Sequence, residues 1–180
     1  MQSKKQTGVT LIELMVVITI AGVLAATAAP SLSGMINKMK QTSAMSLLAG
    51  DLNRARGEAI KRNRRVLMCV RLNDTTCGTG TNWANGWLIC HDDAELGACD
   101  TSTTTTDTQN PIVITVRPPI SSNLTLTSIG AAAGPVIQFN PNGTQGSAGT
   151  TFQLVVNGAW SGASPLAANI AATGNITKSP

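Results

Sequence analysis

The sequence is poor in aromatic and charged residues. Of its 180 residues none is Tyr, only 3% are aromatic and only 12% are charged. Its one histidine, His91, has no evident nucleophilic partner, and no phosphate-binding glycine loop or paired-carboxylate motif occurs. We therefore predict that the chain is not an enzyme and uses no cofactor. The formal net charge of +4 is mildly basic and does not by itself indicate a nucleic-acid partner.

Charge is almost absent from one N-terminal stretch, Val9 to Ala29, in which Glu13 is the single charged residue. A helix needs about 20 apolar residues to cross a hydrocarbon core. Lys4 and Lys5 precede the run and favour a cytoplasmic N-terminus. The stretch therefore predicts a membrane helix. A secretory signal peptide cleaved near Ala26–Ala28 is the alternative, which Glu13 and the helical pattern farther on disfavour.

The helical pattern continues beyond Pro30, which lacks a backbone N–H and should kink the helix. Apolar residues at steps of three and four predict one buried face: Met45, Leu48, Leu52, Ala55 and Ala59. Charged residues are assigned to the opposite, solvated side: Asp51, Arg54, Glu58, Lys61 and Arg62. By their spacing, Asp51 with Arg54, Arg54 with Glu58 and Glu58 with Arg62 can form ion pairs. The helix should end near Asn63.

The remainder of the chain is predicted to be rich in β-structure. Short apolar or alternating runs predict strands at Val66–Leu72, Trp87–Cys90, Ile112–Val116, Leu124–Ile129, Val136–Phe139 and Phe152–Val156. Asn142-Gly143 and Asn157-Gly158 are turn signals, and the Thr-rich stretch Asp100–Asn110 is typical of an exposed loop. The elements predict an α+β fold, in which a long kinked N-terminal helix packs on a C-terminal antiparallel β-sandwich.

The segment Gly8-Val9-Thr10-Leu11-Ile12-Glu13, with the apolar run and Pro30 after it, resembles the N-terminus of type IV prepilins and pseudopilins. The resemblance implies cleavage by a prepilin peptidase between Gly8 and Val9 and N-methylation of Val9, where the family usually has Phe. It divides the chain into a leader (1–8), a membrane and assembly half-helix (9–29), an amphipathic half-helix (30–63) and a periplasmic domain (64–180).

Cleavage would create an N-terminal ammonium four residues before Glu13. The Glu13 carboxylate of one subunit could then neutralise the ammonium of its neighbour, because opposite charges offset the cost of burying either one alone. We therefore assign Glu13, together with the kink at Pro30, to assembly rather than to catalysis.

A second resemblance begins at Arg54–Asn63, which is similar to the helix end of the FimT/FimU minor pilins and of the type II secretion pseudopilin GspH. A cysteine loop and Trp83-Ala84-Asn85-Gly86-Trp87 extend the similarity. It implies a minor pilin that primes pilus assembly at or near the tip. The implied partners are other minor pilins, the major pilin, the prepilin peptidase and the inner membrane. A type II secretion pseudopilin is the close alternative.

Four cysteines in an exported domain predict disulfides, because the periplasm is oxidising. Three pairings are available, and we favour the local pairs Cys69–Cys77 and Cys90–Cys99, which each close a small loop. A cross-strand Cys69–Cys90 bond is the alternative. A metal site built from Cys90, His91, Asp92 and Asp93 is disfavoured, since the sequence has one His and no paired ligand spacing, so no metal is predicted.

A basic cluster lies at the predicted helix end and first strand: Lys61, Arg62, Arg64, Arg65 and Arg71. Such residues can contact DNA phosphates, and some FimT-type minor pilins are DNA receptors with a Gly-Arg-x-Arg-like motif on the C-terminal tail. The tail here has Asn175 and Thr177 where the arginines would stand, although Lys178 follows. A nucleic-acid partner is therefore an alternative of another functional class, and a solvated helix end is the simpler interpretation.

Overall fold

A computed structural model describes residues 8–93, 95–100, 112–130, 133–146 and 151–179, with only the backbone described for residues 26–31. The predicted leader before Gly8 and the Thr-rich loop after Asp100 lie outside these residues. The chain divides into two compact units, Met1–Asn37 and Lys38–Pro180. The helix α1 spans Leu11–Arg62, and the strands are β1 Val66–Val70, β2 Trp87–His91, β3 Val113–Val116, β4 Leu124–Ile129, β5 Val136–Phe139, β6 Phe152–Gly158, β7 Leu166–Ile170 and β8 Ile176–Ser179.

The C-terminus of α1 is fixed by a left-handed residue, Asn63, with φ of 51°. The amide of Asn63 donates to the carbonyl of Ile60 at 3.3 Å, and the amide of Arg64 donates to the carbonyl of Ala59 at 3.1 Å. This pair of bonds satisfies carbonyls that the helix end would otherwise leave open, and Asn tolerates the left-handed conformation. The predicted helix end near Asn63 is confirmed, whereas the kink at Pro30, whose side chain is outside the description, stays a prediction.

The strands form two antiparallel four-stranded sheets, with the orders β3-β2-β1-β5 and β4-β6-β7-β8. All six predicted strands are present, but β7 and β8 were not predicted. The turn predicted at Asn157-Gly158 is wrong, because Asn157 pairs with Thr125 and Gly158 with Leu124 inside the β4–β6 ladder. The Asn142-Gly143 turn is confirmed, since the amide of Gly143 donates to the carbonyl of Asn140 at 2.8 Å.

One hydrophobic core joins α1 to both sheets and confirms the α+β architecture. The five apolar residues predicted on the helix face are 0–3% exposed. They share the core with Trp83, Trp87, Ile89, Phe139, Leu126, Phe152, Leu154 and Ala168, among others. The opposite face of the first sheet carries a smaller cluster, Leu67, Cys69, Leu88, Cys90 and Cys99. Strand β1 is therefore buried on both faces, and its burial does not alternate along the strand.

Asp51 corrects the predicted distribution of charge on α1. It is 3% exposed rather than solvated, and its carboxylate accepts a hydrogen bond from the indole Nε1 of Trp87 at 2.9 Å. Arg117, just after β3, donates to the same carboxylate through Nε at 2.7 Å and Nη2 at 2.9 Å. Asp51 therefore joins the helix to the first sheet instead of pairing with Arg54. The predicted pair of Glu58 and Arg62 is present at 2.8 Å.

Candidate functional site

The N-terminal segment places Glu13 in the first turn of α1, next to Thr10. The backbone amide and the hydroxyl of Thr10 both lie 3.3 Å from Oε2 of Glu13, and the amide of Glu13 lies 3.3 Å from the Thr10 hydroxyl. This reciprocal arrangement is a capping box, in which two side chains satisfy backbone donors that have no helical partner. The Glu13 carboxylate is thereby held at the amino end of the helix, within the segment where the sequence predicts processing between Gly8 and Val9.

Among the described residues, the large apolar side chains from Val9 to Met39 are mostly exposed. From Val9 to Leu24 they are 51–76% exposed, and those from Leu32 to Met39 are still 44–60% exposed. Farther along α1, one face packs into the core: Met45, Leu48, Leu52, Ala55 and Ala59. Within the described residues no helix has a stretch that is both long and apolar enough for a membrane crossing. The predicted span from Val9 to Ala29 includes residues 26–29, whose side chains lie outside the description. A contiguous exposed apolar surface of this kind marks a surface that contacts lipid or another protein.

The cysteines form two disulfides, Cys69–Cys77 and Cys90–Cys99. These are the local pairs that the sequence analysis favours over Cys69–Cys90. The sulfur atoms of the four residues all lie within 4.8 Å of one another, and Sγ of Cys77 is 3.5 Å from Sγ of Cys99. Tetrathiolate clusters can bind zinc, but here every sulfur is in a disulfide, and the two disulfides link two loops covalently to the first sheet.

The disfavoured metal alternative at residues 90–93 does not assemble, because Cys90 is bonded to Cys99 and Asp92 accepts hydrogen bonds from the backbone. The Asp92 carboxylate accepts hydrogen bonds from the amides of Leu96 at 2.8 Å and Gly97 at 3.1 Å, while burial raises its pKa. His91 is 2% exposed, and neither of its ring nitrogens has a hydrogen-bond partner among the described residues. Burial, aided by the charges of Arg62 and Arg64, lowers the pKa of His91.

Most of the basic cluster is neutralised by neighbouring carboxylates. Arg62 pairs with Glu58, Arg64 with Asp93, Arg65 with Asp92 and Glu95, and Arg71 with Asp74. The hydrogen bond from Arg62 lowers the pKa of Glu58, so this carboxylate stays charged. A phosphate backbone would have to displace these carboxylates, and Lys61 and Lys178 are the members of the predicted contact set without such a pair in the described structure. The geometry therefore weakens the DNA alternative.

The C-terminal tail is part of the second sheet. Residues Thr173–Lys178 include the β7–β8 turn and most of β8, with Lys178 exposed on the strand. Arg56 of α1 donates from Nε to the carbonyl of Gly143 at 2.9 Å and from Nη2 to that of Thr173 at 3.4 Å. The tail is therefore tied to the helix and to the β5–β6 connection by an arginine that the sequence analysis did not single out.

Comparison with known proteins gives two family matches and two solved structures. The model described as "Type II transport protein GspH" matches residues 44–174, and the prokaryotic N-terminal methylation motif matches residues 3–29. Both structures are crystal forms of the Pseudomonas aeruginosa type IV minor pilin FimU. They share 17% and 18% identity, with TM-scores of 0.57 and 0.54, and cover 79% and 77% of this chain and 90% and 92% of theirs.

No curated protein sequence matches the chain. The structural likeness to FimU stands at the level of the fold, with a helix packed on antiparallel sheets. The family match spans most of the globular part, and the methylation motif coincides with the segment around Gly8 and Glu13. The chain therefore belongs to the GspH family and has the fold of a type IV minor pilin.

Proposed function

We propose that the chain is a minor pilin of the FimU/FimT type, which primes assembly of a type IV pilus and lies at or near its tip. It is anchored in the inner membrane by residues 9–29, with the globular domain in the periplasm, until it enters the fibre. Prepilin peptidase removes residues 1–8 and Val9 becomes N-methylated. Its partners are other minor pilins and the major pilin.

One observation carries this proposal: a helix whose described large apolar side chains are exposed from Val9 to Met39 continues into a stretch, from Met45 to Ala59, with one face buried in a GspH-family domain. Exposed apolar side chains cost free energy in water, at roughly 25 cal/mol per Å², and burial against lipid or neighbouring helices removes that cost. Glu13 is the charge that such burial must accommodate, and an ammonium on a neighbouring subunit supplies the opposite charge.

The capping box allows the charge of Glu13 to be tested separately from its capping. Glutamine can also take the third helical position of a capping box, so Glu13→Gln keeps a backbone partner but removes the charge. Thr10→Val removes the capping hydroxyl and leaves the carboxylate. We expect Glu13→Gln to be processed normally yet to be at least about tenfold depleted from sheared fibres, which corresponds to about 1.4 kcal/mol of lost subunit affinity.

Thr10→Val is the matched control and should enter fibres at close to the wild-type level. Immunoblots of the sheared and membrane fractions measure incorporation, and mass spectrometry of the mature N-terminus checks cleavage and methylation. Incorporation of Glu13→Gln at wild-type levels would remove the assembly role of the charge. A mature chain that begins near Pro30 would instead show that the apolar segment is discarded during export.

A type II secretion pseudopilin remains the second candidate, because the matching family model is described as a type II transport protein. The two functions differ in the phenotype of a deletion strain. We expect loss of surface pili with normal secretion of extracellular enzymes, and the reverse phenotype would assign the chain to the secretion pseudopilus.

A further inference from the structure

The two disulfides contact each other across the loops that they close. Sγ of Cys77 in one disulfide lies 3.5 Å from Sγ of Cys99 in the other. At that distance the two sulfurs are in direct contact. Thiol–disulfide exchange requires this kind of access of an attacking thiolate to a disulfide sulfur.

The four cysteines differ in position and exposure. Cys69 and Cys90 lie on β1 and β2, opposite Leu88 and Leu67 respectively, and are 0% exposed. Cys77 and Cys99 lie in the two loops, where Cys77 is half-buried and Cys99 is 9% exposed. An external thiol therefore meets Cys77 first, while the two strand cysteines are enclosed by apolar side chains.

We propose that Cys77 and Cys99 form a third disulfide, reached by exchange from either of the other two. When Cys99 is a thiolate, it attacks Sγ of Cys77. The Cys77–Cys99 bond forms as the Cys69–Cys77 bond breaks, and Cys69 leaves as a thiolate that takes up a proton. The mirror reaction starts from a Cys77 thiolate and releases Cys90. Neither reaction changes the number of electrons.

The exchange makes the two disulfides a single redox unit. If a reductant opens one disulfide, one free thiol is already on a strand, and exchange transfers the other from its loop to the second strand. A thiol enclosed by apolar side chains is less able to ionise and is therefore a poor nucleophile. The partly reduced domain would thus keep its two loops joined and its free thiols protected from intermolecular disulfide formation. This inference is independent of the proposed place of the chain in a pilus.

The test uses the full chain in detergent with one equivalent of a water-soluble phosphine, which takes two electrons from one disulfide and becomes the phosphine oxide. After equilibration, acid quenching, alkylation in denaturant and peptide mass spectrometry identify the surviving disulfide. We expect Cys77–Cys99 with alkylated Cys69 and Cys90 as the main half-reduced species. Recovery of only the two original disulfides among half-reduced molecules would overturn the proposal.

Two single substitutions approach the same product from opposite sides. Cys90→Ser and Cys69→Ser should both convert to Cys77–Cys99 in a glutathione redox buffer. In Cys69→Ser the competing bond is the native Cys90–Cys99, which simple loop closure in an unfolded chain favours about fourfold over Cys77–Cys99 because its loop is shorter. In the folded variant we expect the ratio of Cys77–Cys99 to the competing disulfide to be at least about tenfold higher than this unfolded-chain ratio. The unfolded-chain ratio in a variant with native near-ultraviolet circular dichroism would contradict the proposal.

Cys99→Ser is the matched control, because it removes one of the two contacting sulfurs and leaves Cys90 as the free thiol. It should keep Cys69–Cys77 as its disulfide. If a substituted variant fails to fold, the phosphine experiment on the unsubstituted chain still decides, since it needs no substitution.

Discussion

Removal of the Asp51 carboxylate should strongly lower the free energy of unfolding of the globular unit, although it changes a single residue. Asp51→Ala leaves the guanidinium of Arg117 without its two-bond partner and the buried indole N–H of Trp87 without an acceptor. Loss of one partner from a buried ion pair costs about 3–5 kcal/mol. The Arg117 side chain is 32% exposed and recovers part of this through water, so we expect a loss of about 3 kcal/mol.

The measurement is thermal or urea unfolding of the full chain in detergent, followed by near-ultraviolet circular dichroism. A loss of 3 kcal/mol corresponds to a midpoint lower by roughly 6–12 °C for a chain of this size. Asp74→Ala is the matched control, because Asp74 also accepts two bonds from an arginine, Arg71, but its side chain is 70% exposed. It should cost less than about 1 kcal/mol. Equal effects of the two substitutions would refute the reasoning from burial.

Three further predictions concern the ionisation of His91, the close approach at Gly174 and the basic cluster. Burial lowers the pKa of His91 in the fold, so on acidification the unfolded state protonates this imidazole first, and the free energy of unfolding should fall as the pH drops below about 6.5. If His91→Leu leaves the pH dependence of the free energy of unfolding unchanged, this prediction is wrong. At Gly174, with φ of 77°, an added Cβ would clash with the carbonyl oxygen of Gly143, so Gly174→Ala should lower the free energy of unfolding in urea by about 2–3 kcal/mol. The control Gly162→Ala, at φ of 79° with nothing within 4 Å of the added Cβ, should cost about 1 kcal/mol, and equal costs would exclude the clash. Because its arginines are paired with carboxylates, the chain should show no salt-sensitive retardation of duplex DNA in gel-shift assays, and retention that weakens as salt rises would restore the DNA-receptor alternative.

The helix and strands β1 to β6 were predictable because the residues that they bury are apolar and recur in patterns typical of a helix face or a strand. Strand β7 was not, because Leu166–Ile170 is largely Ala and Asn, which have low β propensity, and its pairing with β6 and β8 supplies the missing stabilisation. Asn157-Gly158 has the composition of a tight turn, but its ladder with β4 keeps it in the strand. In both places non-local pairing outweighs local preference.

The site residues divide in the same way. The segment from Gly8 to Glu13 and the local disulfides follow from contiguous patterns, whereas Asp51 was assigned to the wrong side of the helix on the basis of its charge. Its spacing held the relevant signal, since Asp51 lies three residues after Leu48 and four before Ala55, within the apolar stripe. Its partner Arg117 comes from a distant loop, and no spacing rule connects the two.

The burial of strand β1 on both faces has a consequence for backbone dynamics. Val66–Val70 is paired with β2 on one side and β5 on the other, while the core covers one face and the disulfide loops cover the other. Its amide protons should exchange with solvent only through complete unfolding, whereas those of the terminal strand β8, paired only with β7 in the described structure, should exchange through local fraying. Deuterium uptake at Met68 would therefore report the global stability of the domain, and uptake at Thr177 would report the opening of one edge.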